Sequence, residues 1–194
     1  MTMKRDECLK ALARHLTDEI VVAVYQAAQE WVVIRPSDLN YTFTGAMGQA
    51  SSHALGLALG RPDKRVIVLD GDGSLLMNLG TLVTIAATAP RNLVHFVCEN
   101  GTYEANGGHP IPGSGVLSFA GMARAAGYPT AYEFGDLSSF EEQVGQILRE
   151  DGPVFVDLKV EQGDEYPMDY ENLYKVERRS AFKAALVQRQ QQQN

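Results

Sequence analysis

The stretch RVIVLDGDGS at residues 65–74 decides the fold class. Residues 65–69 are predicted to be a strand, because their apolar side chains are consecutive and branched, as in a strand buried on both faces. Two aspartates and two glycines follow, and the apolar pattern from Leu75 onward predicts a helix. A strand that runs through a glycine-rich turn into a helix is the repeating unit of doubly wound α/β proteins.

The same alternation of strands and helices extends over most of the chain. It predicts an α/β, three-layer, doubly wound fold with an about six-stranded parallel sheet and helices on both faces. We expect residues 1–170 to form this domain and residues 171–194 to form a C-terminal helix and a disordered tail. Strands are predicted at 19–25, 41–44, 65–69, 93–98, 131–134 and 153–160, and helices at 5–16, 51–59, 75–87, 118–126 and 138–150, with a long loop at 99–115.

Composition excludes several classes of function. The 194 residues are 45% hydrophobic and 21% charged, which is typical of one globular domain. The net charge of −7 and the lack of a basic stripe argue against a nucleic-acid partner. No apolar run reaches the roughly 18 residues of a membrane span, and the first ten residues do not resemble a secretory signal, so we expect a cytoplasmic protein. Cys8 and Cys98 stand far apart, which argues against a zinc ribbon or an iron–sulfur cluster.

The turn Asp70–Ser74 has the composition of an anion site. Gly73 and Ser74 would present backbone N–H groups at the start of a helix, where anions bind. Asp72 would repel a bare phosphate, so its position makes sense if a divalent cation bridges the two. The alternative is an acidic turn that only caps the helix, because Asp-Gly turns are common.

A second polar residue makes the cation more plausible. Asn100 follows the next predicted strand, 28 positions after Asp72, and this length fits one strand–helix–strand unit. The two side chains should therefore meet at the same edge of the sheet, outside the carboxyl ends of neighbouring strands. A carboxylate, an amide oxygen and a nearby backbone carbonyl form part of the oxygen shell that magnesium prefers.

The segment from Gly71 to Asn100 resembles the cofactor fingerprint of thiamine diphosphate enzymes. That fingerprint begins with GDG and ends in paired asparagines one βαβ unit later; here Glu99 replaces the first asparagine and Asn100 matches the second. The flanking segments TGAMGQ (44–49) and ENGTYEANGGHPIPG (99–113) resemble the diphosphate-binding part of 2-oxoacid decarboxylases of the sulfopyruvate and phosphonopyruvate type. The resemblance is close over about residues 40–115.

This resemblance implies thiamine diphosphate and Mg²⁺ as cofactors. The metal ligands would be Asp72, Asn100 and the carbonyl of Thr102. The carbonyl of Gly45 would accept the 4′-amino group of the pyrimidine, and Met47 would meet the same ring and wedge between the two rings. The full set of implied cofactor-binding residues is Gly45, Met47, Gly71, Asp72, Gly73, Ser74, Asn100, Thr102 and Tyr103.

The loop after the fourth predicted strand supplies the one candidate catalytic side chain. His109 stands where the relatives typically have glutamine, and the loop should overhang the cofactor, so His109 is a candidate for contact with substrate. The roles of Glu99 and Glu104 stay open. The other histidines and Cys98 are expected to be structural.

The resemblance also implies a partner. In the family, a glutamate from a separate pyrimidine-binding domain activates the cofactor, and the 44 residues before GAMG are too few for such a domain. We therefore expect a pyrimidine-binding α subunit that carries this glutamate, in a homo- or hetero-oligomer. Three functions remain: the cofactor-binding subunit of a decarboxylase for a small 2-oxoacid, a subunit of an acetolactate synthase-like carboligase, and a non-catalytic module that binds magnesium and diphosphate.

Overall fold

Seven parallel strands form one sheet within residues 3–161 and 166–188, the part of the chain that the computed structural model describes. Their order across the sheet is β1–β9–β5–β4–β2–β3, and β8 also pairs with β9. A separate antiparallel pair, β6 and β7, lies in the segment after β5. The strands are β1 (Met3–Lys4), β2 (Ile20–Val24), β3 (Asn40–Phe43), β4 (Val66–Gly71), β5 (Leu93–Glu99), β6 (Thr102–Tyr103), β7 (His109–Pro110), β8 (Thr130–Phe134) and β9 (Val154–Glu161).

Helices cover both faces of the sheet, and each face has its own apolar core. Leu9, Trp31 and Phe140 belong to one core, and Ile85 and Phe119 belong to the other. The predicted three-layer parallel fold is confirmed. The helices are α1 (Arg5–Ala13), α2 (Tyr25–Ile34), α3 (Ala50–Gly60), α4 (Asp72–Leu76), α5 (Gly80–Thr88), α6 (Phe119–Ala126), α7 (Leu137–Ile147), α8 (Tyr170–Tyr174) and α9 (Val176–Gln188).

Four local predictions were wrong. The two-residue strand β1 was not predicted, so the sheet has seven strands where about six were expected. Helix α2 was not predicted at all, although it follows β2 directly. The single helix predicted at 75–87 is two helices, α4 and α5, because residues 77–79 form a turn that leads into Gly80. The loop predicted at 99–115 contains the β6–β7 hairpin. The predicted C-terminal helix is present as α8 and α9, whereas the tail at 189–194 lies outside the described residues.

The described helices include none that is both long and apolar enough to cross a membrane. The strands end together at one edge of the sheet, because all seven are parallel. This edge is where the segments that follow β2, β3, β4 and β5 meet.

Candidate functional site

A pocket opens at the carboxyl ends of β2, β4 and β5, with about 490 Å³ of empty space, part of it open to solvent. Every residue that the resemblance assigns to cofactor binding lies in its wall, apart from Gly45. The wall consists of Arg5, Val24, Tyr25, Gln26, Ala27, Met47, Asp70, Gly71, Asp72, Gly73, Ser74, Cys98, Asn100, Thr102, Tyr103, Glu104, Ala105 and Asn106.

Asp72 is the first residue of α4 and is only 2% exposed. Its Oδ1 accepts a hydrogen bond from the N–H of Gly73 at 2.7 Å, and its Oδ2 accepts one from the N–H of Gly101, also at 2.7 Å. Burial raises the pKa of Asp72 to about 6, although these N–H groups oppose the shift. A buried carboxylate with so little solvation is electrostatically suited to a cation.

Asn100 lies directly after β5, and Gly101 joins it to Asp72. The Oδ1 of Asn100 accepts hydrogen bonds from the N–H of Thr102 at 2.9 Å and from its hydroxyl at 3.1 Å. This closed turn holds the amide against the backbone of the next two residues. Because the N–H of Gly101 donates to Asp72, the two side chains predicted to bind metal are connected through one peptide unit.

The two glycines of the GDG turn have different surroundings. A Cβ on Gly73 would lie 2.5 Å from Cδ1 of Tyr103, so the ring of Tyr103 leaves room only for a glycine. A Cβ on Gly71 would have nothing within 4 Å, because this position faces the open pocket. The chain therefore approaches the pocket with bare backbone at Gly71, as the close approach of a ligand requires.

The segment 44–49 is attached to α4 from the other side of the pocket. The hydroxyl of Ser74 accepts from the N–H of Gly48 at 3.0 Å, and the side-chain amide of Asn78 donates to the carbonyl of Gly48 at 3.1 Å. Gly48 has a φ of +79°, and a Cβ there would lie 2.8 Å from Cβ of Asn78. These contacts fix the backbone on which Met47 reaches the pocket wall.

Two of the predicted site residues lie outside the described pocket wall. Gly45, with a φ of +81°, is next to the hydroxyl of Tyr174, 3.7 Å from the position of a Cβ. The same hydroxyl donates to the carbonyl of Thr44 and accepts from its N–H at 3.2 Å. His109 is exposed on β7, where it pairs with Tyr103, so its contact with substrate stays a prediction.

Sequence reasoning missed a buried set of charges at the pocket, of which Arg5 and Glu104 belong to the wall. Arg5 donates from Nε and Nη2 to Oε1 of Glu30, at 2.9 and 2.6 Å, and from Nη1 to Oε2 of Glu104 at 2.5 Å. Glu104 also accepts from Nδ2 of Asn100 at 2.8 Å. One signal could have indicated Glu30: it interrupts the apolar residues of the segment that forms α2.

Tyr25 was also missed, and it has an unusual backbone. Its φ is +52°, a conformation that a residue with a side chain rarely adopts. Burial raises the pKa of its hydroxyl, and the N–H groups of Gly45 and Met47 oppose that shift. Backbone strain of this kind is often found at functional sites.

The chemistry of the wall suits a hard cation and an anion better than a transition metal. Among residues 3–161 and 166–188, no group of three or more His, Cys, Asp or Glu side chains is arranged to hold a metal ion. The donors that the resemblance assigns to the cation are the carboxylate of Asp72, the amide oxygen of Asn100 and a backbone carbonyl, and N–H groups at the start of α4 are available to an anion. Asp70 and Glu104 are further carboxylates of the wall. Magnesium bound together with a phosphate group uses such mixed oxygen ligands.

Comparison with known proteins identifies the class. Residues 22–158 match the family described as "Thiamine pyrophosphate enzyme, C-terminal TPP binding domain". The chain therefore belongs to the thiamine pyrophosphate enzymes and has their cofactor-binding domain. The family resemblance seen between Gly71 and Asn100 is confirmed.

Two relatives of the chain are decarboxylases. The chain is 39% identical over 165 residues to the sulfopyruvate decarboxylase subunit beta of Methanothermobacter thermautotrophicus, which covers 84% of this chain and 85% of that subunit. It is 36% identical over 144 residues to the phosphonopyruvate decarboxylase of Streptomyces hygroscopicus, covering 74% of this chain but only 35% of that enzyme.

A solved structure agrees on the fold. A thiamin diphosphate-dependent enzyme from Mycobacterium smegmatis superimposes with a TM-score of 0.68 and 22% identity, over 84% of this chain and 32% of the other. At this identity the likeness supports the fold and nothing finer.

Proposed function

We propose that this chain is the cofactor-diphosphate-binding subunit of a two-subunit, thiamine diphosphate-dependent enzyme that decarboxylates a small 2-oxoacid of the sulfopyruvate or phosphonopyruvate type. The observation that carries the proposal is the connection of Asp72 and Asn100 through Gly101 at the edge of the pocket. The extent of the match to a sulfopyruvate decarboxylase β subunit, which is similar over most of both chains, supports the substrate class.

The residues of the pocket fit a magnesium ion and a diphosphate. Asp72, the Oδ1 of Asn100 and the carbonyl of Thr102 would hold Mg²⁺, and the hydroxyl of Thr102 can turn away from Oδ1 to free a lone pair. The space beside Gly71 and the backbone at Gly73 and Ser74 would receive the phosphate oxygens. When bound, thiamine diphosphate supplies the electron sink for decarboxylation.

The segment 44–49 would hold the organic part of the cofactor. The carbonyl of Gly45 would accept the pyrimidine amino group, and Met47 would support the bent arrangement of the two rings. Contacts from Ser74 and Asn78 to Gly48 fix this backbone relative to the diphosphate site, so both ends of the cofactor would be positioned by one rigid unit. Tyr103, whose ring covers Gly73, would line the same site.

The proposal includes a partner subunit. The phosphonopyruvate decarboxylase relative is almost three times as long as the part that matches this chain, whereas the β-subunit relative is matched over most of its length. A pyrimidine-binding α subunit would supply the activating glutamate and much of the substrate site, in a hetero-oligomer. His109, on the exposed β6–β7 hairpin, would reach the substrate from this chain's side.

A carboligase is the second candidate, favoured by one observation. The chain is 54% identical to an acetolactate synthase of Nicotiana tabacum, but over only 41 residues, or 21% of this chain. So short a match accounts for a shared cofactor site without a shared reaction. The longer matches to decarboxylases favour decarboxylation.

The test compares the chain alone with the chain purified together with the α subunit, at saturating thiamine diphosphate and Mg²⁺. We expect carbon dioxide release from sulfopyruvate or phosphonopyruvate by the complex only, and its loss in the Asp72→Ala complex. Asp151→Ala is the matched control, because Asp151 is an exposed aspartate paired with Arg91. Release by the rigorously purified lone chain would refute the two-subunit proposal, and a carbon–carbon coupled product would favour the carboligase.

A further inference from the structure

Three charged side chains from distant parts of the chain are buried together at the pocket, and two of them, Arg5 and Glu104, belong to its wall. Arg5 begins α1, Glu30 lies on α2, and Glu104 follows β6. The side chains of Arg5 and Glu30 are 6% and 4% exposed, and that of Glu104 is 14% exposed. Arg5 binds Glu30 through two nitrogens at 2.6 and 2.9 Å, and binds Glu104 at 2.5 Å. We refer to Arg5, Glu30 and Glu104 as the charged triad.

Stability alone is a weak reason for this arrangement. Removing ionic groups from water costs several kcal/mol per ion, and apolar residues of similar volume often stabilise a core at least as well as a buried ion triad. With both glutamates ionised the triad has one more negative than positive charge, and burial raises the pKa of Glu30. The contact between Glu104 and Asn100 indicates a role for the triad beyond holding α1 and α2 together.

The charged triad contacts Asn100, one of the predicted metal ligands. The Oε2 of Glu104 accepts from Nη1 of Arg5 and also from Nδ2 of Asn100 at 2.8 Å, while Oε1 accepts from Nη2 of Arg5 at 3.2 Å. A carboxylate has only acceptors, so it can bind only the NH₂ end of the Asn100 amide. The oxygen end is thereby directed to the opposite side, where it meets the N–H of Thr102.

We propose that Arg5, Glu30 and Glu104 are positioning residues, which fix the amide of Asn100 so that its oxygen faces the metal site. The proposal rests on the proposed function, since it assumes that Asn100 binds the cation. Arg5 holds the Glu104 carboxylate in place with two donors, and Glu30 holds Arg5 from its other side. Partners that orient a metal-binding side chain commonly contribute tenfold to a hundredfold to metal affinity.

The first variant is Glu104→Met, which has a similar length and no oxygen. Glutamine would not serve, because one amide oxygen has two lone pairs and could accept from both Arg5 and Asn100, as Oε2 of Glu104 does. Without an acceptor at position 104, the NH₂ group of Asn100 loses its partner, and the amide loses its fixed orientation. We expect Mn²⁺, used as the probe in the presence of thiamine diphosphate, to bind about 10- to 100-fold more weakly. The measurement is free Mn²⁺ by electron paramagnetic resonance in a titration of the chain purified together with the α subunit.

The second variant tests orientation against simple loss of structure. In Arg5→Met/Glu30→Gln/Glu104→Gln no charge of the triad remains, and the oxygen of the residue at 104 is free to accept from Asn100. We expect this triple variant to bind Mn²⁺ more tightly than Glu104→Met alone, a recovery that a purely structural role does not produce. Arg14→Met is the matched control, because it breaks the exposed pair between Arg14, the residue after α1, and Glu141 on α7, and should leave Mn²⁺ binding unchanged.

The outcomes separate the two proposals. If the unmodified complex takes up no Mn²⁺ with thiamine diphosphate, the ligand assignment of the proposed function is wrong, and the inference falls with it. If the unmodified complex binds Mn²⁺ and the Glu104→Met complex binds it equally well, only the positioning role is refuted. A triple variant that binds no better than Glu104→Met also overturns it.

Discussion

Alanine at the two glycines of the GDG turn should have different consequences. Gly71→Ala should weaken cofactor binding, whereas Gly73→Ala should destabilise the cofactor-free protein. Gly71 is the last residue of β4, with a φ of −106° and a ψ of 155°, which alanine adopts without strain. A Cβ at Gly71 would meet nothing within 4 Å, whereas one at Gly73 would come within 2.5 and 2.7 Å of the Tyr103 ring. One added methyl group therefore enters the ligand's space, and the other enters space that the protein already fills.

The magnitudes follow from these contacts. Gly71→Ala should leave the free energy of unfolding of the cofactor-free chain unchanged, or raise it by about 0.4–1 kcal/mol through the unfolded state. A methyl group forced into filled space costs about 1–3 kcal/mol. If the diphosphate fills the space beside Gly71, the same range corresponds to a roughly 5- to 150-fold loss of cofactor affinity. Gly73→Ala should lower the free energy of unfolding of the cofactor-free protein by the same cost of about 1–3 kcal/mol, partly offset by the gain of about 1 kcal/mol in helix propensity.

The assay is urea unfolding of the cofactor-free chain, together with calorimetric titration of thiamine diphosphate in the presence of Mg²⁺. Gly135→Ala is the matched control, because a Cβ there also has nothing within 4 Å, at a position outside the described pocket wall. Unchanged cofactor affinity in Gly71→Ala would refute the placement of the diphosphate. A Gly71→Ala chain that unfolds more easily would show that the open space is not open in solution.

Two further predictions concern the charge and the shape of the site. Burial raises the pKa of Asp72 from 3.8 to about 6, so the metal-free folded chain holds this proton to higher pH than the unfolded chain. Its free energy of unfolding should therefore fall by up to about 3 kcal/mol as the pH rises from about 4 to about 6. Urea unfolding of the unmodified chain and of Asp72→Asn over this pH range measures the contribution of Asp72 as the difference between the two. Parallel curves of unfolding free energy against pH would contradict the prediction. Met47→Ala should lower kcat by about 100-fold while changing cofactor affinity less, because small misplacements of reacting groups are costly; equal losses in both would assign Met47 to packing.

The fold was predictable because its signals are local and repeated. The run at residues 65–74 combines a doubly buried strand with a glycine turn, and similar strands recur along the chain. Helix α2 was not predictable in the same way, because residues 20–34 are apolar almost throughout and have no glycine or proline to mark the end of β2. The change of direction is made by Tyr25 in a left-handed conformation, for which its residue type gives no signal.

The proximity of Asp72 and Asn100 was predictable from the topology of the sheet. Asp72 and Asn100 each follow a strand, and parallel neighbouring strands bring such positions to one edge. The charged triad was not predictable, because Arg5 lies 99 positions before Glu104 and no motif connects the two residues. Contacts of this kind depend on how α1 packs against the sheet, and no periodic pattern of the sequence encodes them.

Glu99 departs from the family fingerprint, and its surroundings explain why the departure is compatible with an anionic cofactor. It faces Lys159 on the neighbouring strand β9, and the Nζ of Lys159 lies 2.5 Å from Glu99 and 2.9 Å from Asp157. Although burial lowers it, the pKa of Lys159 lies above its usual value because of these two carboxylates, so the lysine stays charged beside Glu99. Glu99 lies outside the described pocket wall, and its charge raises the pKa of Asp72 less than burial does. The carboxylate at 99 thus makes the site slightly more negative where the cation is proposed to bind, which increases the dependence of diphosphate binding on that cation.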